Sequence, residues 1–164
     1  MERLVSALLF LARDERPSGA EHCDMADIIA DMRETYQAQA EQKGVELLVD
    51  TRPTPIAASA GIADCVLHNL LENAVMHTSR GTITVSLDGH TLCVTDTGEG
   101  IEHTAIEHIF DRRYRSAASR GFGIGLYLVQ RICVRLGWTI SVTSHADRGT
   151  QFRIAFNENS AVRQ

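Results

Sequence analysis

Two stretches of this chain constrain its fold more than any others. GTITVSLDGHTLCVTDTG (81–98) and WTISVTSHADRGTQFRIAF (138–156) are each two β-rich runs divided by turn residues, Asp88-Gly89 in the first and Asp147 to Gly149 in the second. Runs of Val, Ile and Thr on either side of such turns read as hairpins. Strands therefore arrive in antiparallel pairs rather than singly between helices, which disfavours a doubly wound dinucleotide fold. Helical patterns fill the rest. Asp24 can cap a helix that Gly44 ends, and residues 60–78 form one long helical run. Residues 102–110 make a short helix, and 123–137 a helix closed by Gly137. VELLVD (45–50) is a strand, whereas Pro53 and Pro55 limit any strand after it to a short or edge one. The sum is an α/β (α+β) chain, a two-layer sandwich whose mixed sheet is covered on one face by helices.

The 164 residues suffice for one substantial core. A net charge of −5 argues against nucleic acid as a partner, because phosphate backbones call for a basic face. No apolar run reaches the roughly 20 residues of a membrane span, and no signal-peptide pattern is present. Cys23, Cys65, Cys93 and Cys133 form no CxxC pair and read as small core residues. From Leu4 to Ala12 every residue but Ser6 is apolar, so this first helix should pack against more than one neighbour. It is expected to be a remnant of an adjoining helical module (1–15), joined by a linker (16–22); the alternative is an N-terminal helix packed on its own domain. A tail at 158–164 is expected to be disordered.

Several residues could carry chemistry. Asn69, Asn73 and His77, spaced i, i+4, i+8, form a stripe along the flank of the long helix. Buried amides are costly unless paired, so either a ligand or nearby backbone satisfies them. An asparagine oxygen is a hard ligand of the kind Mg2+ accepts. Asp96 ends a strand and precedes Gly98 and Gly100; its carboxylate can accept a bond from an exocyclic amine such as adenine's, or form an ordinary Asx turn. GFGIGL (121–126) is neither a Rossmann fingerprint nor a P-loop. It does bring backbone N–H groups to a helix N-terminus, where anions gather, although the dipole contributes only about 0.3–1 kcal/mol. Arg112, Arg113, Arg115 and Arg120 lie directly upstream, either to bind phosphate or as a solvated basic loop.

In order and spacing, NLLENAVMHT, DTGEGI, IFDRRYR, GFGIGL and DRGTQFRI resemble the N, G1, F, G2 and G3 boxes of the ATP-binding domain of two-component sensor histidine kinases. The resemblance covers about Cys23 to Phe156, and residues 2–15 look like the second helix of the dimerisation and phosphoacceptor module. It implies the Bergerat ATP-binding fold over 23–157, with ATP and Mg2+ as cofactors. Asn73 matches the metal position and Asn69 a position lining the nucleotide. His77 falls where a residue can stack on adenine, and Asp96 matches the adenine-recognising aspartate. Gly98, Gly100 and Ile101 match the loop passing the base, and Arg115 the root of the lid. Gly121, Gly123, Gly125 and Leu126 match the phosphate-side box, and Thr150 the last box at the adenine pocket. The implied partners are ATP/ADP, the chain's own phosphoacceptor helices and a response regulator, on the cytoplasmic side of a membrane-anchored sensor.

Two positions depart from the pattern: Met76 stands where a basic residue is common, and Arg113 replaces a phenylalanine. No histidine has the context of the family's phosphoacceptor, so the chain is expected to be the catalytic part of a longer kinase. A nucleotide-binding regulatory module without transfer activity, or a related serine kinase or ATPase of the same fold, are the alternatives.

Overall fold

The computed structural model describes residues 2–12, 21–112 and 123–157. The elements run α1 (Glu2–Ala12), β1 (Cys23–Asp24), α2 (Met25–Glu41), β2 (Val45–Thr51), β3 (Pro55–Ile56), α3 (Ala60–His77), β4 (Gly81–Asp88), β5 (Thr91–Asp96), α4 (His103–Ile106), α5 (Gly125–Leu136), β6 (Thr139–His145) and β7 (Gly149–Ala155). Five strands form one sheet in the order β2-β4-β5-β7-β6, and β1 pairs with β3 in a small two-stranded ribbon.

Both hairpins form. In the first, Asp88 pairs with Thr91, so the two-residue loop is Gly89-His90, one position beyond the Asp-Gly pair that signals it. In the second, His145 pairs with Gly149, and Asp147 takes a positive φ of 61° in the three-residue turn. The mixed character comes from β2, which lies parallel to β4 with Val45 opposite Gly81. Parallel neighbours need a crossover, and α3 is that crossover.

Alternation along the strands decides which face is covered. Leu47, Ile83, Val85, Leu87, Leu92, Val94, Phe152 and Ile154 are buried on one face, while Thr84, Ser86, Thr95 and Arg153 alternate onto the other. Helices α2, α3 and α5 lie over the buried face, and α3 sends Leu67, Leu70 and Ala74 into the core. This is the two-layer sandwich expected from the hairpins.

The helix ends have identifiable causes. Asp24 Oδ1 accepts the N–H of Ala26 at 2.9 Å and caps α2; the same oxygen accepts the N–H of Thr54 at 2.8 Å, tying the cap to the β1–β3 ribbon. Helix α2 ends at Glu41, and a turn through Gln42 and Lys43 reaches Gly44. Gly137 closes α5 in the left-handed conformation. At the C-terminus of α3, the Lys43 ammonium donates to the carbonyls of Val75, Met76 (3.4 Å) and Thr78 (3.0 Å), satisfying oxygens the helix leaves without partners.

Helix α1 packs on α3 and α5, with Ala7 buried and Phe10 under the Arg135 guanidinium, 5.1 Å from the ring centroid. Leu8 and Leu9 stay half exposed. All four cysteines are free thiols, and Cys65 and Cys133 are buried. Burial pushes the Cys133 thiol up to about 12, as expected of a core thiol rather than a reactive one. Among the described residues no helix is long and apolar enough to cross a membrane.

Candidate functional site

The ends of α3, β5, β7 and α5 meet in one place, and the residues singled out by their types and spacing line it. Asp96, the last residue of β5, is 3% exposed. Its Oδ1 accepts the N–H of Gly98 at 2.8 Å and that of Thr150 at 3.3 Å. Both bonds fall on one oxygen, so Oδ2 remains for a ligand donor. Burial raises the carboxyl above its usual range, the two backbone bonds oppose that rise, and His77 opposes it further while Glu99 adds to it. The Asx turn to Gly98 and a ligand role are thus compatible: one oxygen builds the turn and the other is free to recognise.

The loop after Asp96 is held against two neighbours. A Cβ on Gly98 would collide with the carbonyl oxygen of His77, and one on Gly100 with that of His145. Gly100 also has a φ of 69°, which side chains rarely adopt. Glu99 between them donates its N–H to the His77 carbonyl at 3.2 Å and accepts the N–H of Asp147 at 2.7 Å. Ile101, half-buried against the core, donates its N–H to Ser144 Oγ at 2.8 Å.

Ser144 was not singled out by sequence, yet it ties the pocket wall together. Its hydroxyl donates to Gly149 O at 2.8 Å and lies 2.9 Å from Thr150 Oγ1. A serine has one hydroxyl hydrogen, so Thr150 is the donor in the second bond. The signal for Ser144 was its register: it sits directly opposite Thr150 in the hairpin, on the covered face.

On α3, Asn69 resolves the question its spacing raised. Its amide nitrogen donates to the Cys65 carbonyl at 2.7 Å, one turn back, while its amide oxygen lies against Gly125, the first residue of α5. Backbone satisfies one end, and the other faces the start of α5. Asn73 is half-buried and its side chain has no hydrogen-bond partner among the described residues. His77 follows, 16% exposed, with its Nδ1 2.6 Å from Glu99 Oε1. Met76 is half-buried beside it, and Lys43 reaches only the backbone there.

At the start of α5, Ile124 is the N-cap and makes no side-chain cap, and among the described residues no side chain accepts from the first N–H groups of the helix. Gly123 and Leu126 flank this end, both half-buried. Upstream, Phe110 packs edge-on against Phe152 of β7 at 6.4 Å between centroids, and Ile109 is buried, anchoring the segment that leads to the arginines. Arg112 is exposed. Arg113, Arg115, Arg120 and Gly121 lie outside the described residues, as do positions 13–20 of the expected helix end and linker and the expected tail at 158–164.

The donor set fits a single Mg2+ held mostly by other groups. Among the described residues no cluster of three His, Cys, Asp or Glu side chains could ligate a metal. Asn73 offers one hard oxygen that no described residue pairs, and Mg2+ characteristically takes one or two protein oxygens alongside waters and phosphates.

Residues 63–160 match the family model described as histidine kinase-, DNA gyrase B-, and HSP90-like ATPase. The chain is 32% identical to the sensor protein IrlS of Burkholderia pseudomallei over 98% of its own length and 37% of that protein's. It spans well under half of that relative. Among solved structures it superposes on full-length ShkA in complex with AMPPNP with a TM-score of 0.74 and 25% identity, over 94% of this chain and 36% of ShkA. The catalytic domain of histidine kinase ThkA gives a TM-score of 0.74 over 85% of this chain and 95% of that one; its 19% identity speaks for the fold alone. The chain belongs to the histidine kinase-, DNA gyrase B-, and HSP90-like ATPase family, as an ATP-binding domain of the kind sensor histidine kinases carry.

Proposed function

We propose that this chain holds Mg-ATP for transfer of the γ-phosphate to a histidine on a phosphoacceptor module, the step by which a two-component sensor signals to a response regulator. In this reading residues 1–15 are the second helix of that module, 16–22 the linker and 23–157 the catalytic domain, set on the cytoplasmic side of a membrane-anchored sensor. One observation carries it: Asp96 is a buried carboxylate whose Oδ1 is fixed by two backbone N–H groups, with Oδ2 left to accept the adenine amine.

Each remaining residue has a task that follows from its place. Asn73 would hold Mg2+, which when bound neutralises charge on the phosphates. The uncapped N-terminus of α5 presents N–H groups to phosphate oxygens, with Asn69 beside it. Gly98, Gly100, Ile101 and Thr150 shape the adenine end. By the resemblance, Arg115 and Gly121 would serve the phosphate end. Phosphoryl transfer needs positioning and charge neutralisation more than covalent help from the protein, and this chain supplies those two things.

The test is to mix the chain with a separately made phosphoacceptor module and labelled ATP. An acid-labile phosphohistidine is expected. Mg-ATP binding without transfer would support a regulatory nucleotide module, the reading that the apolar Met76 favours. No binding of ATP would refute both.

A further inference from the structure

Glu99 contacts the nucleotide site through one residue, twice. Its N–H donates to the His77 carbonyl at 3.2 Å, and its carboxylate lies 2.6 Å from His77 Nδ1. Its own carbonyl is taken by Asp147 N–H at 2.7 Å. The peptide is thus pinned between α3 and the β6–β7 turn whatever side chain it carries. The His77 backbone is steadied from behind by Lys43, which donates to the carbonyls of Val75, Met76 and Thr78. Between these clamps the His77 ring is 16% exposed.

We infer that Glu99 is a positioning residue: it fixes the ring orientation and tautomer of His77, so that Nε2 is the ring nitrogen presented to bound nucleotide. The inference rests on the ATP reading above. A carboxylate oxygen only accepts, so Nδ1 carries the proton of that bond and Nε2 is left over. A hydrogen bond at the second ring nitrogen sets a histidine's orientation in the same way in metal sites. The arrangement matters here because position 76 carries no basic side chain, which leaves His77 as the polar group that α3 offers beyond Asn73. Gly98, whose N–H Asp96 Oδ1 accepts, lies against the His77 carbonyl and directly precedes Glu99, which places the pair beside Asp96 rather than on a remote surface.

The experiment is a double-mutant cycle on the whole chain, read by calorimetric Mg-ATP affinity with thermal unfolding as the check on folding. His77→Ala should weaken binding about tenfold, or about 1.4 kcal/mol, and Glu99→Ala about fivefold. The double variant should bind no worse than His77→Ala, because Glu99 is proposed to reach the nucleotide through that ring. Glu99→Gln keeps an acceptor for Nδ1–H and should stay within about twofold of the parent chain. Nitrogen NMR of the imidazole should show the Nδ1–H form in the parent and in Glu99→Gln, and a mixture in Glu99→Ala. Additive losses, an unchanged affinity in Glu99→Ala, or an unchanged tautomer would each overturn the inference. Failure of the parent chain to bind ATP would instead sink the functional reading on which it rests.

Discussion

Gly125 lies so close to the amide oxygen of Asn69 that a single methyl group at position 125 would occupy the same space. The contact joins the helix that carries the asparagine stripe to the N-terminus of the next helix, across 56 residues of chain. Gly125→Ala should therefore force Asn69 to rotate and give up its bond to the Cys65 carbonyl. The same change removes glycine's conformational freedom from the unfolded chain, a gain of about 0.4–1 kcal/mol, which offsets most of the lost hydrogen bond of about 1 kcal/mol. Unfolding midpoints should move little while Mg-ATP affinity falls at least about tenfold. A large loss of stability with affinity intact would show that the contact serves packing alone.

Asp96→Asn should separate recognition from folding. Asparagine keeps an oxygen for Gly98 and Thr150 but turns an amide donor toward the adenine amine, so binding should fall by about 2 kcal/mol or more. Burial raises the folded carboxyl above its unfolded value. A raised carboxylate stabilises the fold most below the unfolded value and loses that contribution as pH climbs through the folded one. The parent chain should thus carry a stability penalty at neutral pH that Asp96→Asn removes, leaving the variant at least as stable. Nucleotide binding needs the ionised form and should weaken in the parent as pH falls through the raised value. Calorimetry across the acid range, with the variant showing no such dependence, checks both.

Ser144→Ala removes three hydrogen bonds at once: from Ile101 N–H, to Gly149 O and from Thr150 Oγ1. Two buried polar groups lose their partner, a loss of about 1–3 kcal/mol. Denaturant melts should register that loss, and ATP affinity should fall with it because Thr150 also orients Asp96 through its N–H.

Lys43→Met keeps the aliphatic stem but leaves the α3 carbonyls of Val75 and Met76, and that of Thr78 just beyond the helix, without their cation. A cation at a helix C-terminus contributes about 0.3–1 kcal/mol, and its hydrogen bonds about as much again. Stability should drop by about 1–2 kcal/mol, with amide exchange accelerating first at the end of α3. Uniform acceleration over the sheet would contradict a capping role.

What could be read from the residues alone was whatever repeats over a few positions. The hairpins, Asp24 as a cap and Gly137 as a stop are local signals, and together with the helical runs they place Asn69, Asn73 and Asp96 on the right elements. The contacts that complete the site are not local. Lys43 meets α3 more than 30 positions away, Tyr36 reaches the His68 ring across a similar gap, and Ile101 bonds Ser144 43 positions later. No period or motif announces such pairs, because each is created only when two separately specified elements dock. The spacing of Asn69 allowed a ligand or backbone as its partner. Only the arrival of α5 shows that its two ends do different things.

The parallel pairing of β2 with β4 has a consequence for the order in which the molecule comes together. Each hairpin can zip from its own turn, but Val45 meets Gly81 only after the whole α3 excursion has been folded back onto the sheet. The helix that presents Asn69 and Asn73 is therefore also the strap that closes the sheet. Pulse-labelled hydrogen exchange should find β2 amides gaining protection in the same kinetic phase in which nucleotide binding returns. A refolding chain would then never pass through a stage with a finished sheet and an unfinished pocket, since the event that completes one completes the other.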